Sequence, residues 1–132
     1  MAQEDKELLL KDLCARLPYG VKVRIEGDYF YDEREPYDTT LKSEVLGHLI
    51  ADVYSVKPYL RPMSSMTEEE LKEILRIDYA QIYTGNCWSW KFANYKQIDW
   101  LNEHHFDYRG LIEKGLALEA PEGMYKININ AY

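Results

Sequence analysis

The residues with the clearest capacity to bind a ligand begin in an extended segment near the middle of the chain. Lys57, Tyr59 and Arg61 alternate there, and alternate residues of an extended chain share one face. This would set an aromatic ring beside two cations, a combination that stacks on a base and clamps a phosphate. The alternative is a solvated sheet edge on which basic side chains prevent further strand pairing.

A second candidate is the sequence Asp107-Tyr108-Arg109-Gly110. The planar guanidinium of Arg109 could face a phosphate or a carboxylate, with Tyr108 beside it. The structural alternative, which we favour, is that Asp107 caps the segment 108–114 and that Gly110 lets two backbones approach.

Aromatic residues form a third candidate. Trp88, Trp90 and Phe92 are spaced by two, which on a strand makes one continuous aromatic face, whereas on a helix only Trp88 and Phe92 align. Residues 77–93 are therefore strand or helix, and the spacing favours strand. The ligand-binding candidates are Tyr59, Arg61, Trp88, Trp90, Tyr108 and Arg109.

The adjacent histidines His104 and His105 suggest a metal, but their spacing argues against one. Consecutive residues of a helix point about 100° apart, and neither His-x-x-x-His nor Glu-x-x-His occurs in the sequence. His105 falls on the apolar face of its predicted helix, which is typical of a partly buried structural histidine. We expect no metal and no cofactor.

No catalytic motif is present, so we name no catalytic residue. The sequence lacks a Gly-x-Ser-x-Gly motif, a Gly-rich phosphate loop and a His-Glu-x-x-His motif. This favours a non-enzymatic protein, although catalytic groups that only folding brings together would escape such a search. His105 with Asp107 is the alternative that we keep for a small hydrolase or nuclease.

Composition indicates an ordinary globular protein. The 132 residues are 46% apolar and 30% charged, with a net charge of −7, which predicts a single compact domain over 1–132. Possible sub-lobes are 1–62, a helix with a small β-barrel, and the mostly helical 63–132. Basic residues are interleaved with acidic ones, which disfavours binding to duplex nucleic acid.

The sequence also indicates the location of the protein and the redox state of its cysteines. No segment approaches the roughly 18–20 apolar residues of a membrane helix, and the start does not resemble a signal peptide, so we expect a cytoplasmic protein without membrane contact. Cys14 and Cys87 are far apart in sequence, and we expect them to be reduced and mostly buried. A homo-oligomer is compatible with the sequence.

Twelve tyrosines are the unusual feature of the composition. Tyrosine-rich surfaces often recognise ligands or partners, because the ring packs while the hydroxyl bonds. We favour the alternative that a β-rich domain uses them on half-buried strand faces.

The first part of the chain predicts a helix over 6–20 that ends at Pro18-Tyr19-Gly20 and buries Leu9, Leu13 and Cys14. A strand over 21–26 follows, with a partner strand beginning at 29–31 and an exposed loop over 32–40. The apolar run 44–56 predicts one bent strand or two short strands with a bulge at Gly47. Pro58 and Pro62 argue against a helix and a central strand, so 57–63 should be extended at a sheet edge or against the body.

The second part predicts further helices. Thr67 and Glu70 form a capping box for a helix that runs to about Arg76, with Leu71, Ile74 and Leu75 inward. Residues 95–106 are predicted as helix, with Tyr95, Ile98, Leu101 and His105 on one face, and residues 125–132 as a short strand. The fold class is therefore α+β: an N-terminal helix, a small antiparallel sheet or SH3-like barrel, and a helical C-terminal part with a further short strand pair.

Three sequence blocks carry a resemblance: "LLLKDLCARLPYGV" (8–21), "KPYLRPMSSMTEEE" (57–70) and "DWLNEHHFDYRGLIEKGLALEAPEGMY" (99–125). Together they resemble a group of small uncharacterised proteins of gut Bacteroidales prophages and mobile elements. The resemblance covers about half of the chain. It implies a mobile-element origin and action inside a bacterial host, and no site residue.

These observations predict a non-enzymatic binding protein of phage or mobile-element origin. Its partner would be a host protein or a small nucleotide-like ligand, and sequestering that partner would serve counter-defence. The alternatives are the hydrolase or nuclease named above and a structural or regulatory subunit of an oligomer.

Overall fold

The computed structural model describes residues 2–27, 36–50, 54–77 and 95–125, and the fold is α+β as predicted. Four helices are described: α1 (Gln3–Arg16), α2 (Ser43–Ile50), α3 (Glu68–Ile77) and α4 (Tyr95–Glu103). The described strands are β1 (Lys22–Gly27), β2 (Tyr37–Thr40), β3 (Tyr54–Pro62), β4 (Phe106–Asp107) and β5 (Leu118–Glu119). Short 3-10 turns cover Leu17–Tyr19 and Met63–Ser65.

The sheet is mixed and centres on β1 and β3. β1 is antiparallel to β2 and to β3, with Val23 opposite Thr39 on one side and Pro58 on the other. Beyond Pro58, β3 pairs in parallel with β5 at 59–60 and with β4 at 61–62. The antiparallel sheet was therefore predicted in part, and two short parallel strands extend it.

The prediction that 57–63 is not part of a central strand is wrong, although its extended conformation is confirmed over 57–62. β3 is a central strand that changes partner along its length. Pro58 is the last residue paired with β1 and Pro62 the last residue of the strand. A central strand tolerates these prolines because each lies where a ladder ends.

The apolar run 44–56 forms a helix followed by a strand, not the strands that the sequence predicted. α2 ends at Ile50 and β3 begins at Tyr54, so Gly47 lies within a helix and marks no bulge. Val45 and Leu49 are buried four residues apart, the spacing of one helix face. An unbroken apolar run does not distinguish a buried helix from a buried strand.

The predicted loop 32–40 is wrong over Tyr37–Thr40, which form β2 and pair with β1. The predicted partner strand at 29–31 lies outside the described residues. A four-residue polar strand carries little apolar alternation, so its pairing with β1 gives no local signal.

α1 has the predicted apolar stripe, with Leu9 and Leu13 fully buried, and Gly20 ends the following turn at φ +70°. Cys14 is exposed, contrary to the prediction, and Cys87 lies outside the described residues. The helix instead buries two charged residues, Asp12 and Arg16.

The capping box of α3 is confirmed. The Glu70 amide donates to Thr67 Oγ1 at 3.1 Å, and the Thr67 amide donates to the Glu70 carboxylate at 3.1 Å. Ile74 is buried and Leu75 half-buried, whereas Leu71 is exposed, contrary to the prediction.

α4 confirms most of the helix predicted over 95–106 but ends at Glu103. Tyr95 is exposed, while Ile98 and Leu101 pack inward. His105 lies beyond the helix with φ +65°, so it shares no helix face with Leu101. Residues 126–132 of the strand predicted over 125–132, and all but the first residue of 77–93, lie outside the described residues.

Two groups of buried apolar residues form the interior. The larger joins α1, β1, α2 and β3 to Leu111, Leu116 and Ala117. The smaller consists of Ile74, Trp100, Leu101, Phe106 and Tyr108, from α3, α4 and the chain around β4. No helix in the described ranges is long and apolar enough to cross a membrane.

Candidate functional site

Arg61, the central candidate, is held by a carboxylate of the protein itself. Its two terminal nitrogens donate to the two carboxylate oxygens of Glu70, each at 2.7 Å, and its guanidinium lies 4.1 Å from the centre of the Phe106 ring. Burial raises the pKa of Glu70, but the hydrogen bonds from Arg61 and Thr67 outweigh it, so this pKa lies below its ordinary value. Arg61 and Glu70 are therefore a neutral, nearly buried ion pair.

Tyr59, the aromatic candidate on the same strand, is also occupied. Its hydroxyl donates to Asp38 on β2 at 2.8 Å, and its side chain is buried. The two neighbouring candidates on β3 thus have separate acidic partners, one on β2 and one on α3.

Tyr108 and Arg109 are brought together, as the sequence suggested, but by a buried carboxylate on α1. Asp12 accepts hydrogen bonds from Arg16 at 2.8 Å and from Arg109 at 3.0 Å. The guanidinium carbons of Arg109 and Arg16 lie 4.9 and 5.4 Å from the Tyr108 ring centre. The Tyr108 hydroxyl donates to Asn102 at 2.9 Å, and burial raises the pKa of Tyr108.

Asp107 acts as the predicted cap. Its two carboxylate oxygens accept the backbone amides of Leu111 at 2.8 Å and Ile112 at 3.0 Å. Gly110 has a different role from the predicted close approach, because an added Cβ atom would meet nothing within 4 Å. Its φ of +74° is the reason that glycine fits there.

His105 stacks on Tyr125, with ring centres 3.9 Å apart and planes 24° apart. Its Nδ1 is buried and has no hydrogen-bond partner in the structure. Burial, with smaller contributions from the charges of Arg16, His104 and Arg61, lowers the pKa of His105 to about 4. The imidazole is therefore neutral at pH 7.

Tyr125 is a residue that the sequence reasoning missed. Its hydroxyl accepts the backbone amide of Lys22 at 2.8 Å and donates to the carbonyl of Tyr59 at 2.7 Å, which anchors it to β1 and β3. Burial raises the pKa of Tyr125 to about 12, so the hydroxyl stays protonated. A local signal was present, because the sequence Pro-Glu-Gly-Met before Tyr125 is typical of a tight turn.

Tyr125 lines the one concave surface that we consider a candidate site, hereafter the Tyr125 cleft. Its volume is about 300 Å³, and its walls come from the end of β3, the turn at Ser65 and the chain from β5 to Tyr125. The cleft is lined by Arg61, Pro62 and Ser65, by residues 119–123 and by Tyr125. Of the six ligand-binding candidates only Arg61 lies in it, while Trp88 and Trp90 fall outside the described residues.

Among residues 2–27, 36–50, 54–77 and 95–125, no group of three or more His, Cys, Asp or Glu side chains could hold a metal ion. Comparisons with protein-family models, with curated proteins and with solved structures find no match to this chain. The indications of function therefore come from the cleft and the contacts around it.

Proposed function

We propose that this chain is a non-enzymatic binding protein that acts on a protein partner inside a bacterial host. The observation that carries the proposal is a contrast in how polar side chains are used. Arg61, Arg109, Asp107 and Tyr108 are committed to internal contacts. The Tyr125 cleft, in contrast, has a charged rim of Glu119 and Glu122, which form no ion pair within the described ranges. A concave surface with unused polar groups is suited to recognition.

The negative charge of this rim favours a protein partner over a nucleotide-like ligand. The guanidinium of Arg61 in the cleft is neutralised by Glu70, and that of Arg109 lies outside the cleft lining and shares the carboxylate of Asp12 with Arg16. Glu119 and Glu122 line the cleft instead, and carboxylates repel a phosphate. Binding of a nucleotide-like ligand to Trp88 and Trp90, which lie outside the described residues, stays a prediction from the sequence.

A hydrolase centred on His105 and Asp107 gains no support from the geometry. Both carboxylate oxygens of Asp107 bind backbone amides, so this residue does not orient an imidazole. With a pKa of about 4, His105 is a weak base at neutral pH, because an effective general base has a pKa near the working pH.

The origin in a phage or mobile element rests on the three sequence blocks that resemble the Bacteroidales group. In that setting, sequestering a host protein is the counter-defence role that we propose. One of these blocks contains the whole wall 119–125 of the Tyr125 cleft.

Affinity capture tests the proposal. The tagged chain is incubated with cytoplasmic extract of a Bacteroidales host, in parallel with two charge-reversed variants. The cleft variant is Glu119→Lys/Glu122→Lys, and the matched control is Glu103→Lys/Glu113→Lys, which changes two exposed glutamates outside the cleft. We expect one host protein to be retained by the wild-type and control chains and lost by the cleft variant.

The outcomes separate the function from the site. If wild-type chain retains no host protein above bare resin, the binding function is overturned. Equal retention by both variants would mean that the interaction lies elsewhere on the chain. A thermal shift with cyclic or linear nucleotides, without any protein retained, would favour the nucleotide alternative.

A further inference from the structure

We infer that the Tyr125 cleft binds a basic side chain, lysine or arginine, of the partner protein. The inference deepens the proposed function and rests on it for the identity of the partner as a protein. It specifies the chemistry of recognition, which the proposed function leaves open.

One wall of the cleft is a defined turn. The Met124 amide donates to the Pro121 carbonyl at 3.1 Å, and Gly123 has φ +84°. A glycine with positive φ before the last residue of a four-residue turn is the signature of a type II turn. On the other side of this wall, the Ala120 amide donates to Leu60 on β3 at 2.8 Å. The wall is thus set by backbone geometry before any ligand arrives.

The lining of the cleft also has a defined charge. Arg61 contributes no net charge, because Glu70 holds its guanidinium at two points. Glu119 and Glu122 are exposed and take part in no ion pair among the described residues. The cleft therefore carries two uncompensated negative charges, which favour a cation and disfavour a phosphate or a carboxylate.

The ring of Tyr125 forms part of the cleft surface. Its hydroxyl is committed to Lys22 and Tyr59, and one ring face stacks on His105, so the ring surface that lines the cleft is the part left for a ligand. An aromatic ring attracts an ammonium or guanidinium group. Pro62, Ala120 and Pro121 add apolar lining, which suits the methylene stem of a lysine or arginine.

The volume of the cleft also suits a single side chain. A volume of about 300 Å³ lies at the lower end of the range of small-molecule sites. It matches one amino-acid side chain with its backbone better than a large cofactor. The net charge of −7 would also steer a basic segment toward the chain.

The test uses capped amino acids as probes, with amide chemical shifts of the full chain as the readout. N-acetyl-arginine methylamide and N-acetyl-lysine methylamide are titrated to millimolar concentration. N-acetyl-citrulline methylamide is the control, because it has nearly the shape of arginine without the charge. We expect saturable shifts at Ser65, Gly123 and Tyr125 with the two basic probes and none with citrulline.

Isosteric variants make the test specific to the rim. Glu119→Gln/Glu122→Gln should weaken binding of the basic probes roughly three- to tenfold, since each exposed ion pair contributes only modestly. Glu103→Gln/Glu113→Gln should leave it unchanged. Binding by the wild-type chain should also weaken in 0.5 M salt.

Equal shifts with arginine and citrulline, or no shifts in the cleft, would overturn the inference. Its failure is distinguishable from that of the proposed function. A captured host protein with no probe binding sinks only the basic side chain, while probe binding with no captured protein sinks only the host partner.

Discussion

At the scale of single residues, the carboxylate of Glu70 serves two elements at once. It accepts two hydrogen bonds from Arg61 on β3 and one from the Thr67 amide at the start of α3. Its side chain is 5% exposed and that of Arg61 10%, so water cannot replace either partner at low cost. One carboxylate therefore fixes both the start of a helix and a central strand.

Replacing Glu70 with glutamine tests the charge separately from the cap. Glutamine keeps the capping-box geometry but leaves Arg61 as a nearly buried, unpaired cation, so Glu70→Gln should lower the free energy of unfolding by about 3 kcal/mol or more. Urea denaturation at pH 7 measures the loss. Glu69→Gln, an exposed neighbour in the same helix turn, should change it by less than about 0.5 kcal/mol. Equal effects of the two variants would contradict this account.

His105 combines a left-handed backbone, a stacked ring and a buried, unpartnered nitrogen. The charges that act on it come from Arg16 on α1, Arg61 on β3 and its neighbour His104. All three disfavour a positive charge on His105, and the burial of its Nδ1 limits the hydration of the protonated ring.

This arrangement predicts a loss of stability on acidification. The pKa of His105 is about 4 in the folded chain and about 6.5 when unfolded, so between these values the unfolded chain binds more protons. The contribution to the free energy of unfolding falls as the pH drops from 6.5 to 4, by on the order of 2–3 kcal/mol in total. Denaturation at a series of pH values should show this slope.

His105→Asn is the matched variant, because asparagine tolerates positive φ and does not titrate. It should remove most of the slope between pH 6.5 and 4, whatever its effect on absolute stability. An imidazole of His105 that titrates near 6.5 in an NMR experiment on the folded chain would refute the prediction.

At the scale of elements, the chain from β4 to Leu116 is shaped by backbone conformation. Asp107 caps the turn that follows it, and Gly110 supplies φ +74° within that turn. The sequence predicted the cap because an Asp before a short apolar turn has few other roles. It assigned Gly110 to packing, since both reasons for a glycine look alike in sequence.

Two glycine replacements separate these reasons. Gly110→Ala should destabilise the fold by about 1–2 kcal/mol through its positive φ alone, and Gly110→Asn by less. Gly47→Ala, inside α2 and with no atom within 4 Å of an added Cβ, should be neutral or stabilise by up to about 1 kcal/mol. Gly110→Ala should thus lower the free energy of unfolding, whereas Gly47→Ala should not. If Gly47→Ala lowered the free energy of unfolding as much as Gly110→Ala does, the positive φ of Gly110 would not explain its effect.

At the scale of the whole molecule, a buried ion pair joins the two apolar groups. Asp12 and Arg16 lie on α1, which packs in the larger group, and both are fully buried. Arg16 also donates to the carbonyl of Phe106 at 2.6 Å, in the smaller group. That carbonyl and Asp12 are both shielded from water, and Arg16 is the side-chain donor that they share, while Asp12 also accepts a hydrogen bond from Arg109 at 3.0 Å.

Arg16→Met should therefore lower the free energy of unfolding by about 1–3 kcal/mol, because the Phe106 carbonyl loses its side-chain donor while Asp12 keeps Arg109. Methionine preserves most of the side-chain volume, so the loss reports the unsatisfied polar groups rather than a cavity. Lys11→Met, on the exposed side of the same helix, is the control and should change stability by less than about 0.5 kcal/mol. If both variants unfold at the same urea concentration as wild type, the ion pair does not hold the two groups together.

Local patterns in the sequence predicted the features that depend on neighbours along the chain. The stripe of Leu9 and Leu13, the capping box of Thr67 and Glu70 and the cap at Asp107 all arise within a few residues. The same patterns failed for 44–56 and for the position of β3 in the sheet. An apolar run fits helix and strand equally, and the covering of a strand edge depends on distant segments.

The sequence by itself determined the α+β class, the helix starts and turns, and the residue types able to bind a cation or an anion. Only the tertiary structure decided which of them remain available. It paired Arg61 with Glu70 and Arg109 with Asp12, and it left Glu119 and Glu122 beside Tyr125. The physical reason is that ion pairs and clefts form between segments far apart in the chain, where burial and the partner, not the local spacing, set the energy of each charge.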